Sequence, residues 1–311
     1  MIISASRRTD IPAFYSEWFL NRIRDGYVLV RNPMNIHQVS RIRLSPDVVD
    51  CIVFWTKNPK PMVQWLEELK DYNFYFQFTL NSYATDVEPN VPSKGNDVID
   101  TFIKLSEKIG ANRIIWRYDP IIITDKYTIE YHTTYFEKLA QVLSGKFSKC
   151  VISFVDEYKK NSKNFRDNGL RELEENQMAD IALRFSEIAK RNHFKIYTCA
   201  EQIDLTAYGI EHNSCIDKEL IESLVGARLK VQKDKSQRDE CGCVESIDIG
   251  SYNTCTHGCK YCYANYSSDV VHNNSRCYDP NSPMLCGSLQ DDDKVTERPM
   301  RSLIIDQFDL W

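Results

Sequence analysis

The chain has 311 residues, with 39 Lys+Arg against 44 Asp+Glu and a formal net charge of -5, a balance that argues against a counterion-releasing grip on duplex DNA. Hydrophobic residues at 42% and charged residues at 27% fit a globular chain and exclude disordered and collagen-like classes. The unusual count is 11 cysteines, which in a long chain without an export signal argues for cytoplasmic metal or redox chemistry and against a disulfide-stapled secreted fold.

The first predicted strand, Ile2 to Ala5, runs into Ser6-Arg7-Arg8-Thr9-Asp10. Arg7-Arg8 resembles a twin-arginine export signal, but Thr-Asp-Ile-Pro follows where an apolar stretch would be needed. A helix is predicted over Phe14 to Arg24. Its Phe14, Tyr15 and Trp18, interleaved with Arg7, Arg8, Arg22, Arg24, Arg31, Arg41 and Arg43, make a candidate surface for nucleic acid or an anionic substrate, set against arginines scattered over solvated faces. The strand Cys51 to Trp55 is the most apolar run and falls far short of the roughly 18 residues a membrane span needs. There follow a helix over Pro61 to Lys70, a strand over Phe74 to Leu80, a helix over Val98 to Ile109 and a strand over Arg113 to Tyr118. A helix over Thr128 to Leu143 contains His132, expected at the surface or near a cap. Next come a strand over Cys150 to Val155 and a helix over Glu174 to Asn192. Lys195 to Cys199 and Ser246 to Ile249 complete the strands. The charged run at 230–240 reads as a solvated loop, and the chain after Tyr266 as a mostly irregular tail ending in an apolar segment, Leu303 to Trp311.

Alternating strands and helices predict an α/β fold with a parallel sheet, a (β/α) barrel or partial barrel over 1–266 with a C-terminal extension over 267–311 packed on it. Polar clusters recur where strands end: Thr56-Lys57-Asn58, Asn81-Ser82-Tyr83, Arg117-Tyr118-Asp119-Pro120, Asp156-Glu157-Tyr158, Glu201-Gln202 and Ser251-Tyr252-Asn253. In parallel barrels these ends share one rim, so the clusters predict a single large site. Asp156 and Glu157 point apart in extended chain and make a poor acid-base pair. No phosphate-cradling glycine motif occurs.

The sharpest motif is Cys255-Thr-His-Gly-Cys259-Lys-Tyr-Cys262, directly after the last predicted strand. Three thiolates within eight residues suit one face of a cubane cluster with one iron left open. A structural zinc would need a fourth ligand and usually paired knuckles, of which Cys259 and Cys262 supply one. His257 as a ligand would crowd its own turn. Cys199, Cys215, Cys241 and Cys243 form a second candidate set, for an auxiliary [4Fe-4S] cluster or a structural zinc, against the alternative of buried free cysteines. Cys51 and Cys150 read as packing, and Cys277 and Cys286 as incidental.

C-x3-C-x-aromatic-C, with Tyr261 in the aromatic position, resembles the radical S-adenosylmethionine superfamily. The resemblance implies that Cys255, Cys259 and Cys262 ligate a [4Fe-4S] cluster, that its open iron chelates S-adenosylmethionine, and that Tyr261 lies near the adenine. It implies a 5'-deoxyadenosyl radical acting on a substrate, and a reductant protein such as flavodoxin or ferredoxin. The triplet sits late in the chain, whereas the superfamily places it after the first strand, so the fold is expected to be circularly permuted, with Ile2 to Ala5 beside Ser246 to Ile249. With Ser4-Ala-Ser-Arg-Arg-Thr-Asp-Ile-Pro, Trp116-Arg-Tyr-Asp-Pro and Cys262-Tyr-Ala-Asn, nearly the full length resembles the DUF1848 family, which carries a DNA-repair-photolyase-like label. The superfamily's Gly-Gly-Glu motif is absent. Asp10, Arg117 and Asp119 are candidates to replace its contact with S-adenosylmethionine, Arg117 and Asp119 being equally readable as a local ion pair before Pro120. Two further readings stay open: an iron-sulfur electron-transfer or sensor protein, and a zinc-binding interaction module.

Overall fold

The computed structural model describes residues 1–157 and 162–305. In chain order the strands are β1 (Ile2–Ala5), β2 (Tyr27–Asn32), β3 (Asn35–Arg43), β4 (Cys51–Thr56), β5 (Phe74–Thr79), β6 (Ile114–Ile121), β7 (Lys149–Phe154), β8 (Ile196–Cys199), β9 (Glu211–Asn213), β10 (Ile247–Asp248) and β11 (Lys294–Glu297). Eight of them form one sheet in the order β10-β1-β4-β5-β6-β7-β8-β9, and every pairing in it is parallel. All C-terminal strand ends therefore lie on one rim. β10 pairs with β1, Ser4 opposite Asp248, so the strand leading into the cysteine triplet neighbours the first strand as expected. Among the described residues β9 and β10 are the two edges of this sheet.

Alternation along each strand divides the core. Ile3, Ile52, Phe54, Phe76, Trp116 and Ile152 face helices, with Phe54 packed edge-on to Phe19 at 5.2 Å and Trp116 stacked on Phe136 at 4.9 Å. Ile2, Val53, Tyr75, Ile115 and Val151 face the other way, against Ile216, Ile221, Leu229, Val244 and Leu303. The helices start where the chain offers a cap. The Thr128 side chain accepts from the Tyr131 amide ahead of Ile129–Val142, and Glu174 and Gln177 form a reciprocal capping box ahead of Glu175–Arg191.

Several expectations are corrected. The helix predicted from Phe14 begins earlier, as Ile11–Phe14 then Ser16–Asp25, because Asp10 caps it and Pro12 suits its first turn. Pro61 to Lys70 is one helical turn, Lys60–Val63, followed by a 3-10 turn, Leu66–Leu69. β2 and β3 form a hairpin that the polar residues of Asn35–Arg43 hid. β9 is only three residues long, and a helix at Lys218–Val225 follows it. The tail is less irregular than expected: it holds a helix, Ser268–Arg276, and β11, which pairs in parallel with β3. Leu303 is buried, while residues 306–311 of the predicted apolar segment lie outside the described residues.

Candidate functional site

The rim is organised around Asp248 at the end of β10. Its carboxylate accepts from Ser4 Oγ (2.9 Å), Ser6 Oγ (2.6 Å) and the amides of Arg7 (2.8 Å) and Gly250 (3.0 Å). A Cβ at Gly250 would lie 2.1 Å from Ser6 Oγ, so only glycine lets the chain leave β10 this close to β1.

From there the chain enters the loop of Cys255, Cys259 and Cys262, which is held from outside by other elements. Tyr15 Oη donates to Thr254 O (2.5 Å), Asn90 Nδ2 to Thr256 O (2.8 Å), the Asn90 amide to His257 O (3.1 Å) and the Lys260 amide to Val87 O (3.0 Å). Gly258 turns the loop at φ 70°. His257 is buried and its Nε2 lies 2.8 Å from Asp10 Oδ2. Asp10 also accepts from the Lys57 amide (2.7 Å) and caps its helix through the Ala13 amide (3.0 Å). Oδ2 thus braces the cysteine loop through His257 while Oδ1 caps the helix. The three thiols are free of disulfides. Burial pushes all of them up, Cys259 to about 12 with Lys57 pulling the other way, so as bare thiols they hold their protons; a bound metal would displace these.

Beside the triplet, Tyr261 Oη donates to Glu88 Oε1, which also accepts from Lys57 Nζ at 2.8 Å, while Lys94 Nζ donates to Glu88 Oε2. The Lys57 ammonium lies 5.4 Å from the Tyr261 ring centroid. Burial works against the Glu88 carboxylate, but the two ammonium groups win and hold its carboxyl down at about 2. Glu88, Lys94 and Asn81 were missed as site residues. The strand-end cluster Asn81-Ser82-Tyr83 pointed towards Asn81, whereas Glu88 sits in a loop with no pattern around it and Lys94 opens the π-helical turn Lys94–Val98.

The second cysteine set also converges. Cys199 Sγ and Cys215 Sγ are 2.9 Å apart, Cys243 contacts both Cys215 and Cys241, and the Ile216 amide donates to Cys243 Sγ (3.3 Å). Arg117 lies between this set and the rest of the rim. Its Nη1 donates to Cys215 Sγ (2.8 Å) and Gln77 Oε1 (3.3 Å), and its Nε to Asp119 Oδ2 (2.7 Å). Ser153 Oγ donates to Asp119 Oδ1, and Asn81 Nδ2 to Asp119 O (2.9 Å). The Arg117–Asp119 pair is therefore local in sequence, yet it links the second set through Asn81 to the Tyr261–Glu88 group. Trp55 lies between two guanidinium groups, Arg7 at 5.4 Å and Arg117 at 5.3 Å from its ring. The hydrogen bond with Cys215 holds Cys199 down to about 7 against burial, with Arg117 adding to it. Burial raises Glu201 to about 8.

Other predicted residues lie elsewhere. His132 is not at the surface: it is fully buried, bonded to Tyr118 Oη (2.8 Å) and Ile122 O (2.8 Å), because its helix turns that face onto the sheet. Most of the N-terminal arginines are paired with carboxylates. Arg24 pairs with Glu68, Arg31 with Asp293, Arg41 with Glu297 and Arg43 with Asp47, and Arg22 is buried beside Asp25. The 230–240 run is not simply solvated, since Asp234 is buried, its amide donates to Cys243 O (2.9 Å), and Arg7 lies 3.8 Å from its carboxylate. Asp156 pairs with Arg238 at 2.6 Å, the Glu157 amide donates to Glu172, and Tyr158 lies outside the described residues. Cys51 and Cys150 are buried, Cys277 is exposed and Cys286 half-buried.

No helix among the described residues is long and apolar enough to cross a membrane. Comparison with curated proteins and with solved structures gives no match. A family model does match, over residues 2–264, which takes in all eight strands of the main sheet and both cysteine sets. The chain belongs to the DUF1848 family, a domain of unknown function.

Proposed function

We propose that this protein is a radical S-adenosylmethionine enzyme. On this reading the parallel sheet is a permuted (β/α) barrel or partial barrel with β10 as its first strand, and Cys255, Cys259 and Cys262 hold a [4Fe-4S] cluster. The observation that carries the reading is the C-x3-C-x-Tyr-C loop leaving directly from β10 onto the rim, Cys259 buried, Cys255 and Cys262 half-buried, and none in a disulfide. Bound there, the cluster and S-adenosylmethionine would supply reductive cleavage to a 5'-deoxyadenosyl radical, with electrons from a flavodoxin or ferredoxin.

The chain's own residues orient and shield. Asp10 fixes the loop through His257, and Glu88 fixes the Tyr261 phenol while pairing with both Lys57 and Lys94. Arg117, Asp119 and Asn81 line the route from Tyr261 towards the second cysteine set and are the polar groups available to S-adenosylmethionine or substrate. A cytoplasmic location fits chemistry that depends on reduced thiols.

The test is anaerobic reconstitution with iron and sulfide, reduction with dithionite, and chromatographic detection of 5'-deoxyadenosine. Cleavage that disappears in Cys259→Ala supports the proposal. A reducible cluster whose EPR signal ignores S-adenosylmethionine would replace it with an electron-transfer or sensor role. Zinc without iron or labile sulfide would replace it with a zinc-binding interaction module.

A further inference from the structure

The four cysteines of the second set occupy a particular place in the topology. Cys199 ends β8, Cys215 follows β9, and Cys241 and Cys243 precede β10. They gather where the two edge strands of the sheet, β9 and β10, have no ladder between them. What spans this seam is a backbone bond from the Val244 amide to Ile216 O (3.2 Å), the Ile216 amide on Cys243 Sγ, and the contacts among the sulfurs themselves.

The surroundings are those of an anion. Arg117 Nη1 donates to Cys215 Sγ at 2.8 Å, and Arg7 lies close to Cys243 and Cys215 with its Nη2 buried and without a hydrogen-bond partner. Arg117 is also paired with Asp119 and Arg7 lies 3.8 Å from Asp234, so what the pocket lacks is an acceptor for the buried Arg7 Nη2, and neutral thiols are weak ones. Four thiolates on a cubane with two positive charges leave two negative charges, beside which both guanidinium groups would stand as donors. Zinc with four thiolates has the same charge, but it would draw all four sulfurs to roughly 3.8 Å from one another at a zinc–sulfur distance of ~2.3 Å, whereas a cubane holds its thiolates farther apart, which suits the spread of the set as a whole and requires the Cys199–Cys215 contact at 2.9 Å to open on binding. Among the described residues the trio of His, Cys, Asp or Glu ligand atoms lying within 4.8 Å of one another is His37, Asp292 and Asp293, an exposed group already paired through Arg31. The cysteine sulfurs instead run as a string, Cys199 to Cys215 to Cys243 to Cys241.

We propose that Cys199, Cys215, Cys241 and Cys243 ligate a second iron-sulfur cluster that joins the edge strands β9 and β10, with Arg7 and Arg117 donating hydrogen bonds to its thiolates. The site is independent of the triplet and of any radical chemistry there. Bound, it ties residues 215–244, which cover one face of the sheet, to the strand ends on both sides.

The experiment uses the full chain with Cys255, Cys259 and Cys262 all changed to Ala, reconstituted anaerobically, with iron, acid-labile sulfide and zinc measured per chain. The expected result is about four irons and four sulfides retained, and an unfolding temperature roughly 5 °C or more above that of the chelator-stripped protein. Cys215→Ala/Cys243→Ala, with the triplet intact, should lose that stabilisation and about four irons per chain relative to the parent. Should the triple variant fail to fold by circular dichroism, iron in Cys215→Ala/Cys243→Ala against the parent chain decides alone, unchanged iron and sulfide overturning the proposal. Complete loss of iron when the triplet is removed, or zinc without sulfide, overturns the proposal. Because S-adenosylmethionine cleavage is not measured, failure of the radical reading leaves this result unaffected.

Discussion

His257 Nε2 lies 2.8 Å from Asp10 Oδ2, a contact between residues 247 positions apart that fastens the middle of the cysteine loop to the start of the helix after the first strand. Asp10 simultaneously caps the helix Ile11–Phe14 and receives the Lys57 amide. Asp10→Ala removes the cap and leaves buried donors on His257 and Lys57 unpaired, a loss of about 3 kcal/mol. Thermal or urea unfolding should register that loss. Reconstituted Asp10→Ala should also release iron to a chelator several-fold faster than the parent chain, while a variant at the exposed Lys104 should not.

Glu88 is the shared counterion of two lysines, all three drawn in from solvent. Glu88→Gln leaves both ammonium groups without it and should cost about 3–5 kcal/mol, measured by denaturant unfolding at pH 7. The folded carboxyl is held at about 2 against an ordinary 4.5, so its contribution is present above 4.5 and is lost as pH falls towards 2. The gap between parent and Glu88→Gln should therefore narrow over that window.

Gly258 adopts φ 70°, and a Cβ there would meet Pro89 Cγ at 3.2 Å and Asn90 Nδ2 at 3.3 Å. Gly258→Ala combines a left-handed backbone penalty of about 1–2 kcal/mol with pressure on Asn90, which holds Thr256 O. The expected outcome is a modest fall in unfolding temperature and a clear fall in iron bound at the triplet after reconstitution.

His132 gives the chain an acid sensitivity remote from the cysteines. Burial lowers it to about 4 from an ordinary 6.5. The unfolded chain takes up the proton first, so the stabilisation is complete above 6.5 and is lost as pH falls from 6.5 to 4, about 3 kcal/mol in all. His132→Gln should be less stable at pH 7, with a shallower dependence of stability on pH over that range. Equal slopes for the two proteins would count against the assignment.

The central strands were legible because burial on both faces writes continuous apolar runs such as Cys51-Ile-Val-Phe-Trp55, and parallel order follows from the helices between them. β9 was not, since three residues carry no period, nor was β3, where Asn35, His37, Gln38, Arg41 and Arg43 leave Val39 and Ile42, on opposite faces, as its buried apolar residues. The cysteines announced themselves by local spacing in the triplet, and by count in the second set. What spacing could not convey is convergence: that Arg117 reaches Cys215 across 98 positions, or that Glu88 lies under Tyr261 across 173, depends on strand order. His132 was misplaced for a related reason, because an imidazole can be fully satisfied inside a core when a phenol and a carbonyl are brought to it.

The pairing of β1 with β10 also bears on how the chain reaches its native state. Ser4 and Asp248 are 244 positions apart, so β1 can take β4 as a neighbour early but must wait for nearly the whole polypeptide before its other edge is covered. During synthesis that edge, with Ile2 and Ile3 in it, stays open to wrong partners. Closing so long a loop late makes the last docking step slow in any refolding experiment. The same step creates Asp248's contacts with Ser4, Ser6 and Arg7, so the rim beneath the cysteine loop is completed at the end of folding.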